Sequence, residues 1–173
     1  MARVLIVGCG CRGRALARRL VTEGHAVRGT SRRRETAPAI AATGAEAWIG
    51  DPARLATLSR ALEAVTVVCW LLASARGDRG QIAALHQERL RSYLHEMVDT
   101  TVRGFVYEAA GTADPGLLER GRAIVEEAEA VWELPTVVLD ADPGDPRAWL
   151  VAARESVAAL LGHRPGQAAA GLG

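Results

Sequence analysis

Residues 3–13 read RVLIVGCGCRG, and the fold turns on how this stretch is understood. Arg3 to Val7 is a β-branched apolar run too short for a helix, as expected of a parallel strand buried on both faces. Gly8-Cys9-Gly10-Cys11-Arg12-Gly13 then gives the pattern G-x-G-x-x-G. Residues 12–22 (RGRALARRLVT) follow with Ala15, Leu16 and Leu20 at helical spacing and arginines on the opposite face. Alone the glycine pattern is weak; between a strand and a helix it has a mechanism. Gly8 permits a tight turn, Gly10 lets a pyrophosphate approach the backbone, and Gly13 lets the helix pack close to the strand. The helix start would direct free N–H groups and its positive dipole end at the phosphates, with Cys11 and Arg12 beside them. The alternative is a glycine-rich structural turn that binds nothing.

Outward from this unit the pattern repeats. Gly24 closes the first helix, and residues 25–30 (HAVRGT) make a second strand. A short helix near 35–43, a strand at 46–49, a helix over 52–63 and a strongly β-forming run at 65–72 (VTVVCWLL) follow. A long helix is predicted over 80–99, then a strand at 104–108, a helix over 115–133, a strand at 136–140 and a last helix over 146–161. Strands alternating with helices imply an α/β chain: a three-layer Rossmann fold whose six-stranded parallel sheet has the order 3-2-1-4-5-6, with helices on both faces. Residues 1–162 are expected to form a single NAD(P)-binding domain without an internal linker, and the Gly/Ala-rich tail 163–173 is expected to be disordered.

Composition narrows the function. The chain has 173 residues and a formal net charge of +1, which gives no case for nucleic acid or an anionic membrane as partner. No apolar run approaches the ~20 residues that span a bilayer, and the first apolar stretch is too short for a signal peptide, so a cytoplasmic protein is expected. Cys9 and Cys11 are too few for a structural zinc site, and no metal is expected. They are read as small residues beside a ligand, with a redox-sensing thiol pair as the sharper alternative. All 21 basic residues are arginine, and there is no asparagine.

The second strand decides which dinucleotide. NAD-binding versions carry Asp or Glu about 20 residues after the glycines, to bond the ribose 2′-hydroxyl. Here Gly29, Thr30 and Ser31 stand there, followed by Arg32, Arg33 and Arg34. Hydroxyls and guanidinium groups suit a 2′-phosphate, so NADP is favoured over NAD, with Arg32 the foremost candidate. The competing view is that these arginines only solvate the start of a helix.

The stretches VLIVGCGCRGRALARRLVTEGHAVRGTSR (4–32), Gly50-Asp51-Pro52, FVYEAAG (105–111) and GRAIVEEAEAVWELPTVVLDADP (121–143) resemble the extended and atypical short-chain dehydrogenase/reductases, the epimerase/dehydratase-like and NmrA-like NAD(P)-binding proteins. The resemblance implies that Asp51 bonds the adenine amino group, that Leu72 and Ala73 lie along the adenosine ribose, and that Ala109 and Ala110 stand where the family often has serines near the nicotinamide. It also implies a dimer interface formed by the helices at 80–99 and 115–133. The family's catalytic pair is Tyr-x-x-x-Lys, and here Leu118 and Arg122 fall at its two places. The chain is about half the family's usual length, so a C-terminal substrate lobe is expected to be absent or reduced to 144–173.

Other residues could carry chemistry. His86 and Tyr93 share the apolar stripe of the helix at 80–99, either as an acid–base pair or as core side chains whose polar ends find partners. Tyr107 and Glu108 end the fifth strand, at the edge where ligands bind in open α/β sheets, and are the candidate catalytic residues. For Glu108 the alternative is a rim carboxylate paired with Arg103 or another arginine. Two functions follow: an NADP-dependent oxidoreductase or epimerase-like enzyme acting on a small carbonyl compound, or a dinucleotide-sensing or scaffolding module without turnover.

Overall fold

A computed structural model describes residues 1–162; the tail predicted to be disordered, 163–173, lies outside the described residues. Strand β1 (Arg3–Val7) is central, paired in parallel with β2 (Ala26–Ser31) on one side and β4 (Val67–Trp70) on the other. Beyond β2 lies β3 (Glu46–Ile49), and beyond β4 lie β5 (Gly104–Glu108) and β6 (Thr136–Leu139). The order is β3-β2-β1-β4-β5-β6, with every pairing parallel, as the alternation of elements predicts.

Alternation along each strand feeds two cores. Val4 and Ile6 of β1 meet Leu16 and Leu20 of α1 (Cys11–Thr22), Ile40 of α2 (Ala37–Ala41), and Trp149 and Val157 of α6 (Pro146–Gly162). Leu5 and Val7 face the other way. There they join Leu85 of α3 (Arg79–Leu85), Leu90 and Tyr93 of α4 (Glu88–Met97), and Ile124 and Val125 of α5 (Pro115–Trp132). Both faces of the sheet are thereby covered, which is why the central strands β1, β4 and β5 are buried runs rather than alternating ones.

Two predicted helices differ. The one over 52–63 is replaced by 3₁₀ turns at Leu55–Thr57 and Ser59–Leu62. One carbonyl that an α-helix would use internally is taken from outside, since the Trp48 indole donates to that of Thr57 at 2.9 Å, and the buried Arg28 guanidinium caps the end of the segment by donating to the oxygens of Ala61 and Glu63. The long helix over 80–99 is broken at His86–Gln87, where Gln87 adopts φ −132° and ψ −100°. Trp70 takes the Leu85 carbonyl at 3.1 Å, and the His86 ring is drawn into the core. On α5 Leu117, Leu118, Ile124, Val125 and Ala128 are buried, whereas Val131 is 64% exposed.

Candidate functional site

The connections from β1 and β4 leave the sheet on opposite faces, and the crevice this opens at the strand tips holds a cleft of about 620 Å³. Its floor is the glycine loop. Gly8 has φ +84°, and a Cβ there would stand 2.5 Å from the Leu71 carbonyl oxygen. Gly13 lies so close to β1 that a Cβ would be 3.1 Å from the Gly8 oxygen. Around Gly10, by contrast, a Cβ would meet nothing within 4 Å: the space above it is open cleft. Gly10 caps α1 without a side-chain acceptor, and the first turn of the helix has no acidic residue. The amides of Cys11, Arg12 and Gly13 therefore have no intrahelical partner, which suits an anion. A Cβ at Gly10 would project into that open space, so the bare glycine leaves room for an anion at the helix start.

Of the residues singled out from sequence, Gly8, Gly10, Cys11, Arg12, Gly13, Thr30, Ser31, Arg32, Asp51, Leu72 and Glu108 all line this cleft. Thr30 accepts from the Gly8 amide at 3.2 Å, tying the loop to β2. The Ser31 and Thr36 hydroxyls are hydrogen-bonded to each other, and the Arg33 amide donates to Ser31 at 3.1 Å. Arg32 reaches across to the Arg76 carbonyl at 3.4 Å. Asp51 folds back on its own turn, accepting from the Ala53 amide at 2.9 Å. Sequence reasoning missed Arg14, Thr36, Ser74 and Arg76 as lining groups. Arg14 was legible from its helical spacing one turn after the glycines; Ser74 and Arg76 arrive from the loop after β4, which no motif marks.

Ala73 and Ala109 stand apart from the cleft lining. Ala73 is wholly buried and its amide donates to Glu108, while the Ala109 amide donates to the Leu139 carbonyl. Leu118 is buried, and Arg122 pairs with Glu119 and Asp140 at 3.5 and 3.6 Å.

Tyr107 and Glu108 are adjacent on β5 and therefore point to opposite faces. The Tyr107 hydroxyl lies in the core, 2.8 Å from Nδ1 of His86 and 3.4 Å from the Leu118 carbonyl, and burial pushes its pKa up. His86 thus pairs with Tyr107 rather than Tyr93, whose hydroxyl donates to the Leu58 carbonyl. Since Nε2 lies 3.2 Å from the Leu72 carbonyl, it carries the proton, and Nδ1 accepts from Tyr107. Glu108 turns to the cleft. It is fully buried and accepts from Arg12 at 3.2 Å, Ala73 N–H at 3.1 Å and the Trp149 indole at 3.0 Å. Of the arginines that could pair with it, Arg12 is the one that does, while Arg103 caps the Thr100 and Val102 carbonyls. Burial raises the Glu108 pKa, against the lowering pull of Arg12.

Cys9 is buried under the loop and burial pushes its thiol up to about 11, the wrong direction for a reactive thiolate; Cys11 is exposed at the cleft, with Arg14 donating to its sulfur at 3.4 Å. Among the described residues no group of three His, Cys, Asp or Glu could hold a metal ion, and no helix is long and apolar enough to cross a membrane.

Comparison with known proteins agrees with this fold. The sequence model of a family described as NAD(P)H-binding matches residues 8–132. Among solved structures, a short-chain dehydrogenase/reductase superfamily protein from Agrobacterium tumefaciens with bound NAD is similar at 24% identity and TM-score 0.65, over 79% of this chain and 48% of that one. The UDP-glucuronic acid 4-epimerase of Bacillus cereus is similar at 13% identity and TM-score 0.62, over 79% and 55%. The triphenylmethane reductase of a Citrobacter species is similar at 20% identity and TM-score 0.62, over 79% and 48%. The chain thus spans about half the length of these structures, and the likeness is one of fold. No curated protein matches it.

Proposed function

The chain belongs to the NAD(P)H-binding family, and on that premise we propose that it binds NADP in preference to NAD and acts as a dinucleotide-sensing or scaffolding module. The observation that carries the preference is the charge of the cleft. Arg12, Arg14, Arg32, Arg33 and Arg76 line it against only Asp51 and Glu108, although the chain as a whole is almost neutral. A ligand with a third phosphate is better matched to that excess than one with two. At the β2 tip, hydroxyls and guanidinium groups stand where a carboxylate would repel a 2′-phosphate. Arg32→Ala is expected to weaken NADP about ten-fold or more while leaving NAD nearly unchanged, measured by titration calorimetry. Equal losses for both ligands would refute the 2′-phosphate role.

Bound NADP brings hydride chemistry, so the remaining question is what this chain's groups could do with a proton. The chain has no lysine, Leu118 cannot exchange a proton, and the Tyr107 hydroxyl is spent in the core. These support binding without Tyr-Lys catalysis. A second reading, an oxidoreductase or epimerase-like enzyme acting on a small carbonyl compound, is supported by Glu108, a carboxyl in the cleft wall whose pKa is raised. It expects NADPH oxidation with a panel of aldehydes and ketones, falling at least about a hundred-fold in Glu108→Gln. No oxidation of NADPH across the panel excludes the oxidoreductase; no inversion of a hydroxyl-bearing substrate with NADP bound excludes the epimerase-like form, and both together leave the first reading.

A further inference from the structure

Sheets of this strand order are built from two mononucleotide-binding halves, here β1–β3 and β4–β6, and a dinucleotide lies across both. The cleft is unequal between them. Its lining comes from the tips of β1 to β4, from the first turn of α1 and from α3; β5 gives Glu108, and among the described residues β6 gives none. Two sets of contacts stand between this cleft and the second half. First, the loop after β5 is laced onto the loop after β4: the Ala113 amide donates to the Ala73 carbonyl at 2.9 Å and the Thr112 amide to the Ser74 hydroxyl at 3.3 Å. The loops are so close that a Cβ on Gly111 would collide with the Ala73 carbonyl. Second, the Arg12 guanidinium spans the inner end of the cleft, 3.3 Å from Ser74 and 3.2 Å from Glu108, with its carbon 5.4 Å from the centre of the Trp149 ring. This is a braced pair. Glu108 is fully buried, and the other two donors to it are buried groups, Ala73 N–H and the Trp149 indole. Moving Arg12 aside would leave a buried carboxylate without its counter-charge, which is far more costly than parting an exposed pair.

We propose, resting on the reading that this cleft binds NADP, that its second half is shut to the nicotinamide nucleotide. The ligand class is 2′-phosphorylated adenosine diphosphates. NADP, NADPH and 2′-phospho-ADP-ribose are held by the same groups, and the chain reads their total rather than their redox ratio.

Titration calorimetry on the full chain with these three ligands tests it. The expected result is that the nicotinamide-free ligand binds within about three-fold of NADP and NADPH, or tighter, since no contact is lost. Tighter binding of either nicotinamide ligand by more than about three-fold overturns the proposal but leaves the NADP reading standing. Heat from none of the three overturns the NADP reading itself. The double variant Arg12→Leu/Glu108→Leu replaces the brace with a smaller apolar pair and is expected to gain a preference for NADPH over 2′-phospho-ADP-ribose. An unchanged ratio in a folded double variant overturns the assignment of the brace as the closing element. The wild-type comparison decides the question even where that variant does not fold.

Discussion

Gly8 and Gly10 look alike in the motif, yet physics separates them. Gly8 carries φ +84° with the Leu71 carbonyl against its α-carbon, so Gly8→Ala is expected to cost at least about 2 kcal/mol of stability. Gly10 has φ −76° and ψ −157°, a conformation open to any residue, and nothing within 4 Å of a Cβ. Gly10→Val is therefore expected to keep stability within about 1 kcal/mol while weakening NADP more than ten-fold, because its methyl groups occupy the diphosphate seat. Urea denaturation beside calorimetry checks both, and a Gly10→Val protein that binds normally would remove the phosphates from that seat. The motif was legible because each glycine answers a local demand. The partner of Glu108 was not. Arg12 lies 96 residues away, brought to the tip of β5 by strand order rather than by proximity, and the nearer Arg103 is used up on adjacent carbonyls.

At the level of elements, all six strands could be read: β1, β4 and β5 announce themselves as buried apolar runs, and the others by their place in the alternation with helices. The helices over 52–63 and 80–99 misled because periodicity records only which face is apolar. It is silent on whether Trp48 or Trp70 will capture a carbonyl from another element. The break at His86 has a measurable consequence. His86 links the tip of β4, the α3–α4 break, β5 and α5 through Leu72, Tyr107 and the Tyr107–Leu118 contact. Burial lowers its pKa below the ordinary 6.5. The unfolded chain therefore takes up a proton first as pH falls, and the stability supplied by neutral His86 is present above pH 6.5 and lost on acidification through the lowered folded value. His86→Leu is expected to cost about 1–3 kcal/mol at pH 8, having left the Leu72 carbonyl and the Tyr107 hydroxyl short of partners. Urea titrations should show the gap between wild type and variant narrowing from pH 8 to pH 5.5. A gap constant with pH would mean that His86 is not the group being protonated.

For the molecule as a whole, strand order was legible because right-handed crossovers leave few ways to thread alternating strands and helices into one sheet. The charge of the cleft was only half legible: Arg32 and Arg33 follow β2 directly, but Arg14 and Arg76 join them only once α1 and the loop after β4 meet. Net charge hides this, because the +1 of the chain sums over all its acids and bases, whereas the cleft gathers arginines against only Asp51 and Glu108. Ligand binding should therefore be coupled to global stability in a salt-dependent way. NADP at about a hundred times its Kd is expected to stabilise the native chain by about 2.7 kcal/mol, a rise in Tm of roughly 5–10 °C for a domain of this size. Screening acts most on the most charged ligand, so raising salt from about 0.05 M to about 0.5 M should shrink the NADP shift more than the NAD shift. Thermal unfolding with each dinucleotide at the two salt concentrations measures this directly. Shifts that fall in parallel would place the third phosphate in solvent, away from the arginines that the fold gathers at the tip of β2.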